Sequence, residues 1–178
     1  AAPAAPSPVA TDAAPSRGAT DAAPRPETAS PVASAAPSTF RAPPSAPSWQ
    51  TLASTGKYRE ALAAAERLGF DAELRSASGA EQLLLADAAR LAGSAARASE
   101  AYAAARAKLP GGGRASYGLG LVAFDQRGDF ASAARWFETY LREQPSGPLR
   151  AEATGRLLEA LQRSGQRDQA RTLAQHYL

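Results

Sequence analysis

Two patterns of apolar residues divide the chain near residue 48. From Trp49 onward, Leu, Ala and aromatic side chains recur three and four positions apart, which is the spacing that gives a helix one apolar face. Before that point large apolar residues are rare, and 11 of the 14 prolines occur among Ala and Ser. The pattern predicts helices in residues 49–178 and none in residues 1–48.

The proline-rich part, residues 1–48, is predicted to be a disordered linker. Each proline lacks a backbone N–H and disfavours helical geometry in the residue before it, so a continuous helix cannot form. The composition also lacks the apolar area that a core requires. The spacing of Pro3 and Pro6, and of Pro44 and Pro47, leaves open a second interpretation as a ligand of an aromatic groove. We favour the linker, because this spacing arises by chance in any proline-rich tract.

Four glycines recur at intervals of 37, 35 and 37 residues in the second part, each between two apolar-periodic segments. They are Gly56, Gly93, Gly128 and Gly165. An alanine follows each of them after five residues, namely Ala61, Ala98, Ala133 and Ala170. Because small residues let two antiparallel helices approach closely, the pattern predicts helical hairpins that stack into a solenoid.

The apolar periodicity predicts eight helices, paired as four hairpins. Their ranges are 48–55, 57–69, 79–92, 95–108, 112–127, 130–143, 148–164 and 167–178. Ser78 and Glu81 have the spacing of a capping box, which marks the start of the third of these helices. We therefore expect an all-α fold, an α-solenoid of about four hairpins, with repeats near 48–73, 79–110, 112–145 and 148–178.

The repeats resemble the tetratricopeptide repeat over residues 49–178. The best match consists of Gly93, Ala98, Tyr102, Ala105 and Pro110, and the next of Gly128, Phe130, Ala133, Phe137 and Pro145. The resemblance implies a protein-binding α-solenoid in which the first helix of each hairpin lines a concave face. It implies a protein or peptide as the partner and no catalytic role.

A narrower likeness rests on five short sequence segments, LADAARLAG, WFETYL, GPLRAEA, GRLLEAL and AQHYL. These phrases resemble the C-terminal repeats of FecR-type regulators from GC-rich bacteria such as myxobacteria, in which a Pro/Ala-rich linker precedes the repeats. The likeness implies a bacterial cell-envelope setting, on the periplasmic side, with a domain or anchor upstream of Ala1. The repeats also resemble those of periplasmic coordinators of outer-membrane assembly and division.

Composition argues against several other classes of function. The 20 basic and 17 acidic groups give a net charge of +3 without a basic block, which disfavours nucleic-acid binding. No apolar run approaches the ~18 residues that a membrane span needs, so we expect no direct membrane insertion by this segment. Cys is absent and His176 is the sole histidine, so neither a thiolate nor a histidine pair is available. We predict no enzyme activity, no metal and no cofactor.

The candidate binding residues are the non-core positions of the first helices, mapped by their distance from each hairpin glycine. They are Leu83, Asp87, Arg90, Val122, Asp125, Gln126, Glu159, Gln162 and Arg163. Together they predict a groove of mixed charge that holds a protein or peptide. The alternative interpretation is a solvated helix face paired by neighbouring charges.

Self-association is a second hypothesis for the function of the repeats. The last predicted helix carries an apolar edge that a polar terminal cap would not have. The edge consists of Ala170, Leu173, Ala174, Tyr177 and Leu178. We expect such an edge to contact either another protein or a second copy of this chain.

Overall fold

A computed structural model describes the backbone of residues 46–177 and the side chains of residues 46–175. The predicted linker therefore lies outside the described residues, except for positions 46–48. Within the described range the structure contains nine α-helices and no β-strand. They are Trp49–Ser54 (α1), Tyr58–Leu68 (α2), Phe70–Ser76 (α3), Gly79–Leu91 (α4), Ala95–Lys108 (α5), Gly113–Leu121 (α6), Phe130–Glu143 (α7), Arg150–Arg163 (α8) and Arg167–Tyr177 (α9). The predicted all-α solenoid is confirmed, and eight of these helices were predicted.

Each hairpin turns at the glycine that the repeat predicted. All four glycines have a positive φ, between 62° and 89°, which glycine adopts without the steric cost of a Cβ. In three hairpins the residue after the glycine donates its N–H to the carbonyl five residues back. This closes the end of the first helix in the manner of a Schellman motif. The pairs are Lys57 with Leu52, Ser94 with Ala89, and Gln166 with Leu161.

The third hairpin differs, because its first helix ends in a π-helical segment, Val122–Gln126, which we call the π turn. The Arg127 N–H bonds to the Val122 carbonyl, five residues back, at 3.2 Å. The N–H of Asp129, the residue after the glycine, bonds to the Ala123 carbonyl at 2.9 Å, six residues back rather than five. The first helix of this hairpin therefore holds one residue more than its counterparts before the turn.

The four repeated alanines lie where the two helices of a hairpin meet. Ala61, Ala98 and Ala133 are fully buried, and Ala170 is 4 % exposed. Larger side chains surround them, including Trp49, Tyr102 and Phe137, which are also buried. The close approach of helices that the glycine and alanine spacing predicted is confirmed.

Helix α3 was not predicted. Gly69, at φ +94°, separates it from α2, and only Phe70 and Leu74 of its seven residues are buried. A segment with two apolar positions is too short to show a period. Its C-terminal end is held from outside, because Gln82 donates to the Leu74 carbonyl at 2.7 Å and Lys108 to the Ala77 carbonyl at 2.7 Å.

The capping box at the start of α4 is confirmed. The Ser78 hydroxyl accepts from the Glu81 N–H at 3.3 Å, and the Glu81 carboxylate accepts from the Ser78 N–H at 2.8 Å. The Ser78 N–H and the Ser78 hydroxyl both donate to the Glu81 carboxylate, which favours its ionised form and lowers the pKa of Glu81.

Helix α6 joins the two halves of the core. Ala115 and Leu119 of α6, with Val122 of the π turn, pack in the core of the first two hairpins, whereas Tyr117 packs in the core of the last two. The buried Ser116 hydroxyl accepts from Arg106 at 3.0 Å and donates to Glu143 at 2.7 Å. Ser116 thus links α6 to α5 on one side and to α7 on the other.

Two glycines of α6 admit aromatic rings from the neighbouring helices. A Cβ at Gly118 would lie 2.4 Å from the ring of Tyr102 on α5. At Gly120 a Cβ would lie 2.6 Å from the ring of Phe137 on α7. Real Cβ atoms do not approach ring carbons so closely, so both rings rest directly on the backbone of α6.

We expect Gly118→Ala to lower the free energy of unfolding by about 1–3 kcal/mol, the usual cost of overpacking. Gly155→Ala is the matched control, since Gly155 is exposed in α8 and its Cβ would meet nothing within 4 Å. That variant should gain about 1 kcal/mol from helix propensity. Chemical denaturation followed by circular dichroism measures both, and equal gains would contradict the packing described here.

Candidate functional site

A groove of ≈ 870 Å³ lies along the first helices of the second and third hairpins, α4 and α6. We call it the α4–α6 groove. The ends of α1 and α2 and the loops after α5 and α7 complete its walls. Its principal side chains are Tyr58, Leu84, Asp87, Arg90, Leu91, Tyr102, Arg114, Tyr117, Leu121, Tyr140 and Gln144. Aromatic and aliphatic walls with a few polar groups are typical of a binding cleft.

Tyr102 is the centre of the polar network in this groove. Its hydroxyl donates to Asp87 Oδ1 at 2.5 Å and accepts from Arg90 Nε at 3.2 Å. The other Asp87 oxygen, Oδ2, pairs with Arg114 at 2.9 Å. Burial raises the pKa of Tyr102, and the Asp87 carboxylate raises it further, so the hydroxyl remains a donor.

Tyr117 contributes a buried hydroxyl to the same groove. The residue is 6 % exposed, and its ring packs at 5.5 Å from that of Tyr140 and at 5.7 Å from that of Phe137. The hydroxyl has no hydrogen-bond partner among the described residues. The Glu152 carboxylate is near enough to raise the pKa of Tyr117, after burial, without reaching hydrogen-bond geometry.

Leu91 gives the groove an apolar surface that faces water. It is 47 % exposed, and the described residues contain one other exposed large apolar side chain, Leu68. Leu68 does not line the groove. Leu84 and Leu121, which also line it, are half-buried.

Of the nine residues predicted to bind a partner, two line the α4–α6 groove. These are Asp87 and Arg90. Gln126 lies beside them, since its side-chain amide donates to the Arg90 carbonyl at 2.6 Å. Leu83 is half-buried and packs against the first core.

The prediction that Val122 contacts a partner is wrong. Val122 is 1 % exposed in the first core and is not available to a partner. Counting six residues back from Gly128 selected it, but the π turn adds one residue to this helix. The position that reaches the groove is therefore Leu121, seven residues before the glycine.

The remaining four predicted residues lie outside the groove. Three of them belong to an ion-paired patch, in which Asp125 contacts Arg156 at 3.3 Å and Glu159 contacts Arg163 at 2.6 Å. The Arg163 guanidinium also lies over the Phe124 ring, 5.1 Å from its centroid. Gln162 is exposed in a shallow depression between α8 and α9. These charges are largely paired with one another.

Three residues that line the groove were not among the predicted contacts, namely Tyr102, Tyr117 and Leu91. The repeat pattern includes Tyr102 only as part of the match to the tetratricopeptide repeat, although a buried ring can pack in a core while its hydroxyl bonds to groups at a surface. Leu91 adjoins Arg90, and a large apolar residue beside a predicted contact was a usable signal. The sequence alone offered no signal for Tyr117.

The predicted C-terminal edge is partly described. Ala170 is buried, while Leu173 and Ala174 are half-buried against α8. The side chains of His176, Tyr177 and Leu178 lie outside the described residues.

Residues 83–148 match the family model of the tetratricopeptide repeat. The matched range begins within α4 and ends in the loop after α7, so it contains most of the second hairpin, the third hairpin and much of the α4–α6 groove. No curated protein matches the chain. The match and the hairpin arrangement support a tetratricopeptide repeat protein, a class whose repeats serve protein–protein interaction.

None of the helices in residues 46–177 is long and apolar enough to span a membrane. Within the same part of the chain, no three Asp, Glu or His side chains are grouped to hold a metal ion.

We expect Tyr117→Phe to leave the free energy of unfolding unchanged or to raise it by about 1 kcal/mol, because it removes an unpaired buried hydroxyl. Tyr140→Phe is the matched control, since the Tyr140 hydroxyl accepts from the Leu149 N–H at 3.0 Å. That variant should lose about 1 kcal/mol. Urea denaturation compares the two, and equal losses would show that the Tyr117 hydroxyl has a partner.

Alkaline titration provides a second test of the groove tyrosines. The folded-state pKa values of Tyr102 and Tyr117 are raised above the ordinary value of about 10. Their protonated forms therefore stabilise the fold fully below that pH, and this contribution is lost as the pH rises towards the folded-state pKa values. Absorbance at 295 nm should show two late-ionising tyrosines, one removed by Tyr102→Phe and one by Tyr117→Phe. Ionisation of all tyrosines together near pH 10, with native circular dichroism, would contradict this.

Proposed function

We propose that this chain is a non-enzymatic protein-interaction module that holds a peptide segment of a partner protein in the α4–α6 groove. The observation that carries the proposal is the groove itself, with Leu91 exposed on its wall and Arg90 and Tyr102 fixed beside it. Burial of an exposed leucine under a partner contributes favourable binding free energy, and ordered polar groups beside it can orient that partner. The match of residues 83–148 to a protein-binding repeat supports the same function.

The cellular setting that we propose is regulation at a bacterial envelope. Its support is the likeness of short phrases in residues 83–178 to FecR-type regulators, together with the proline-rich composition of residues 1–48. In this proposal residues 1–48 tether the repeats to an upstream domain or membrane anchor, and the repeats act on the periplasmic side. Coordination of outer-membrane assembly or division is the alternative within the same setting.

Self-association through α9 is the second candidate function. It is favoured by the half-buried Leu173 and Ala174 and by the depression between α8 and α9. Light scattering of the full chain across a hundredfold range of concentration separates the two candidates. A monomer throughout would exclude self-association and leave the peptide-binding proposal intact.

We expect the full chain to bind a fully degenerate pool of end-blocked 12-residue peptides, and Leu91→Asp to abolish that binding. The substitution places a charge on the apolar wall of the groove. Leu68→Asp is the matched control, since Leu68 is 62 % exposed and lies outside the groove. Fluorescence polarisation measures both variants, with circular dichroism to verify folding. No binding by the unsubstituted chain, or equal loss in both variants, would overturn the proposal.

A further inference from the structure

Arg90 is the one cationic group in the α4–α6 groove that the described residues leave without a carboxylate. Its Nε donates to the Tyr102 hydroxyl at 3.2 Å. The two terminal nitrogens of its guanidinium have no partner among the described residues, although the side chain is half-buried. A half-buried guanidinium with free N–H groups is a strong donor for a carboxylate.

The charges of the groove leave Arg90 uncompensated. Asp87 is the sole carboxylate among the described residues that line it, beside the cations Arg90 and Arg114. Asp87 is already engaged, because Tyr102 and Arg114 occupy its two oxygens. Arg114 therefore neutralises Asp87, and the groove retains the positive charge of Arg90. An anionic partner complements this charge, whereas a cationic partner does not.

Apolar side chains line the groove together with Arg90 and its polar neighbours. Leu91 follows Arg90 on α4 with nearly half of its surface exposed, and Leu84 and Leu121 line the groove with it. A carboxylate that reaches Arg90 is thus accompanied by side chains that displace water from these leucines. Alternate side chains of an extended segment lie on one face, so an acidic residue with apolar residues two positions away on each side matches this arrangement.

Resting on the proposed function, we propose that the α4–α6 groove selects an extended peptide segment through the side-chain carboxylate of an Asp or Glu that pairs with Arg90. Apolar residues two positions before and after that acid cover Leu91 and the neighbouring leucines. The ligand class is therefore an internal acidic-apolar motif of a partner protein. A free C-terminal carboxylate is the competing source of the same chemistry.

The experiment uses the full chain and four degenerate peptide pools. The first carries Leu-x-Glu-x-Leu with both ends blocked, the second has Gln in place of Glu, and the third has Ser in place of both Leu. The fourth repeats the Gln pool with a free C-terminal carboxylate. We expect the first pool to bind about tenfold more tightly than the second, as a charge-assisted hydrogen bond predicts, and more tightly than the third.

Arg90→Gln should abolish the preference for the Glu pool over the Gln pool. A purely structural role of Arg90 would weaken both pools equally and leave their ratio unchanged. Arg90→Lys keeps the charge and should restore part of the preference. Arg135→Gln is the matched control, because Arg135 is exposed on α7, bonds to Ser132 and does not line the groove.

The outcomes separate this inference from the proposed function. Equal binding of the Glu and Gln pools by the unsubstituted chain would overturn acid selection while leaving a peptide-binding groove. Tightest binding of the free-carboxylate pool would overturn the internal motif in favour of a terminal one. Binding of none of the four pools, when the fully degenerate pool does bind, would overturn the inference alone.

Discussion

The structure depends on the contact of two aromatic rings with the backbone of α6. Tyr102 from α5 and Phe137 from α7 rest on Gly118 and Gly120, where any side chain would hold them off. The Tyr102 contact joins the second hairpin to the third, and the Phe137 contact holds together the two helices of the third hairpin. Helix α6 therefore belongs to both parts of the core. The buried Ser116, bonded to Arg106 and Glu143, satisfies the polar atoms at the same junction. Because Gly118 and Gly120 have no Cβ, the two rings make close dispersion contacts directly with the backbone of α6.

The same contact orders the groove. A ring clamped against α6 has little freedom, so its hydroxyl has a fixed position, from which it holds Asp87 on one side and Arg90 on the other. Both of these groups come from α4, and Arg114, which completes the network, comes from α6. The polar surface of the groove is therefore pre-organised by packing, and a partner would not meet the entropic cost of ordering it.

The four hairpins could be predicted from the sequence because each repeat has a glycine at its turn and an alanine five residues later. A positive φ at the turn and a buried methyl group at the crossing are requirements that few other residues satisfy, so their spacing located all four hairpins. The sequence did not reveal the π turn, because it lies at the end of its helix, where too few residues follow to show a change in the apolar period. Because the π turn adds one residue before Gly128, counting back from that glycine assigned the groove position to Val122 instead of Leu121. Helix α3 was not predicted because its two buried apolar residues are too few to show a period, and because Gln82 and Lys108, from outside the helix, hold its C-terminal end.

The site was less predictable than the fold for a related reason. Whether a charged residue on a solenoid face is free to bind a ligand depends on its ion-pair partner. Here the partners lie about one repeat away in the sequence: Asp87 and Arg114 are 27 residues apart, and Asp125 and Arg156 are 31 apart. Counting selected Asp87 and Asp125 alike as surface positions, and it selected neither of their partners, Arg114 and Arg156. The structure shows that the two carboxylates differ. Asp125 is neutralised by Arg156, whose guanidinium lies over the Phe124 ring. Asp87 is paired with Arg114, so the nearby Arg90 has no counter-ion among the described residues. In the binding mode that we propose, recognition by this face rests on the charge of Arg90, because mutually paired groups have few free hydrogen-bonding atoms to offer a ligand.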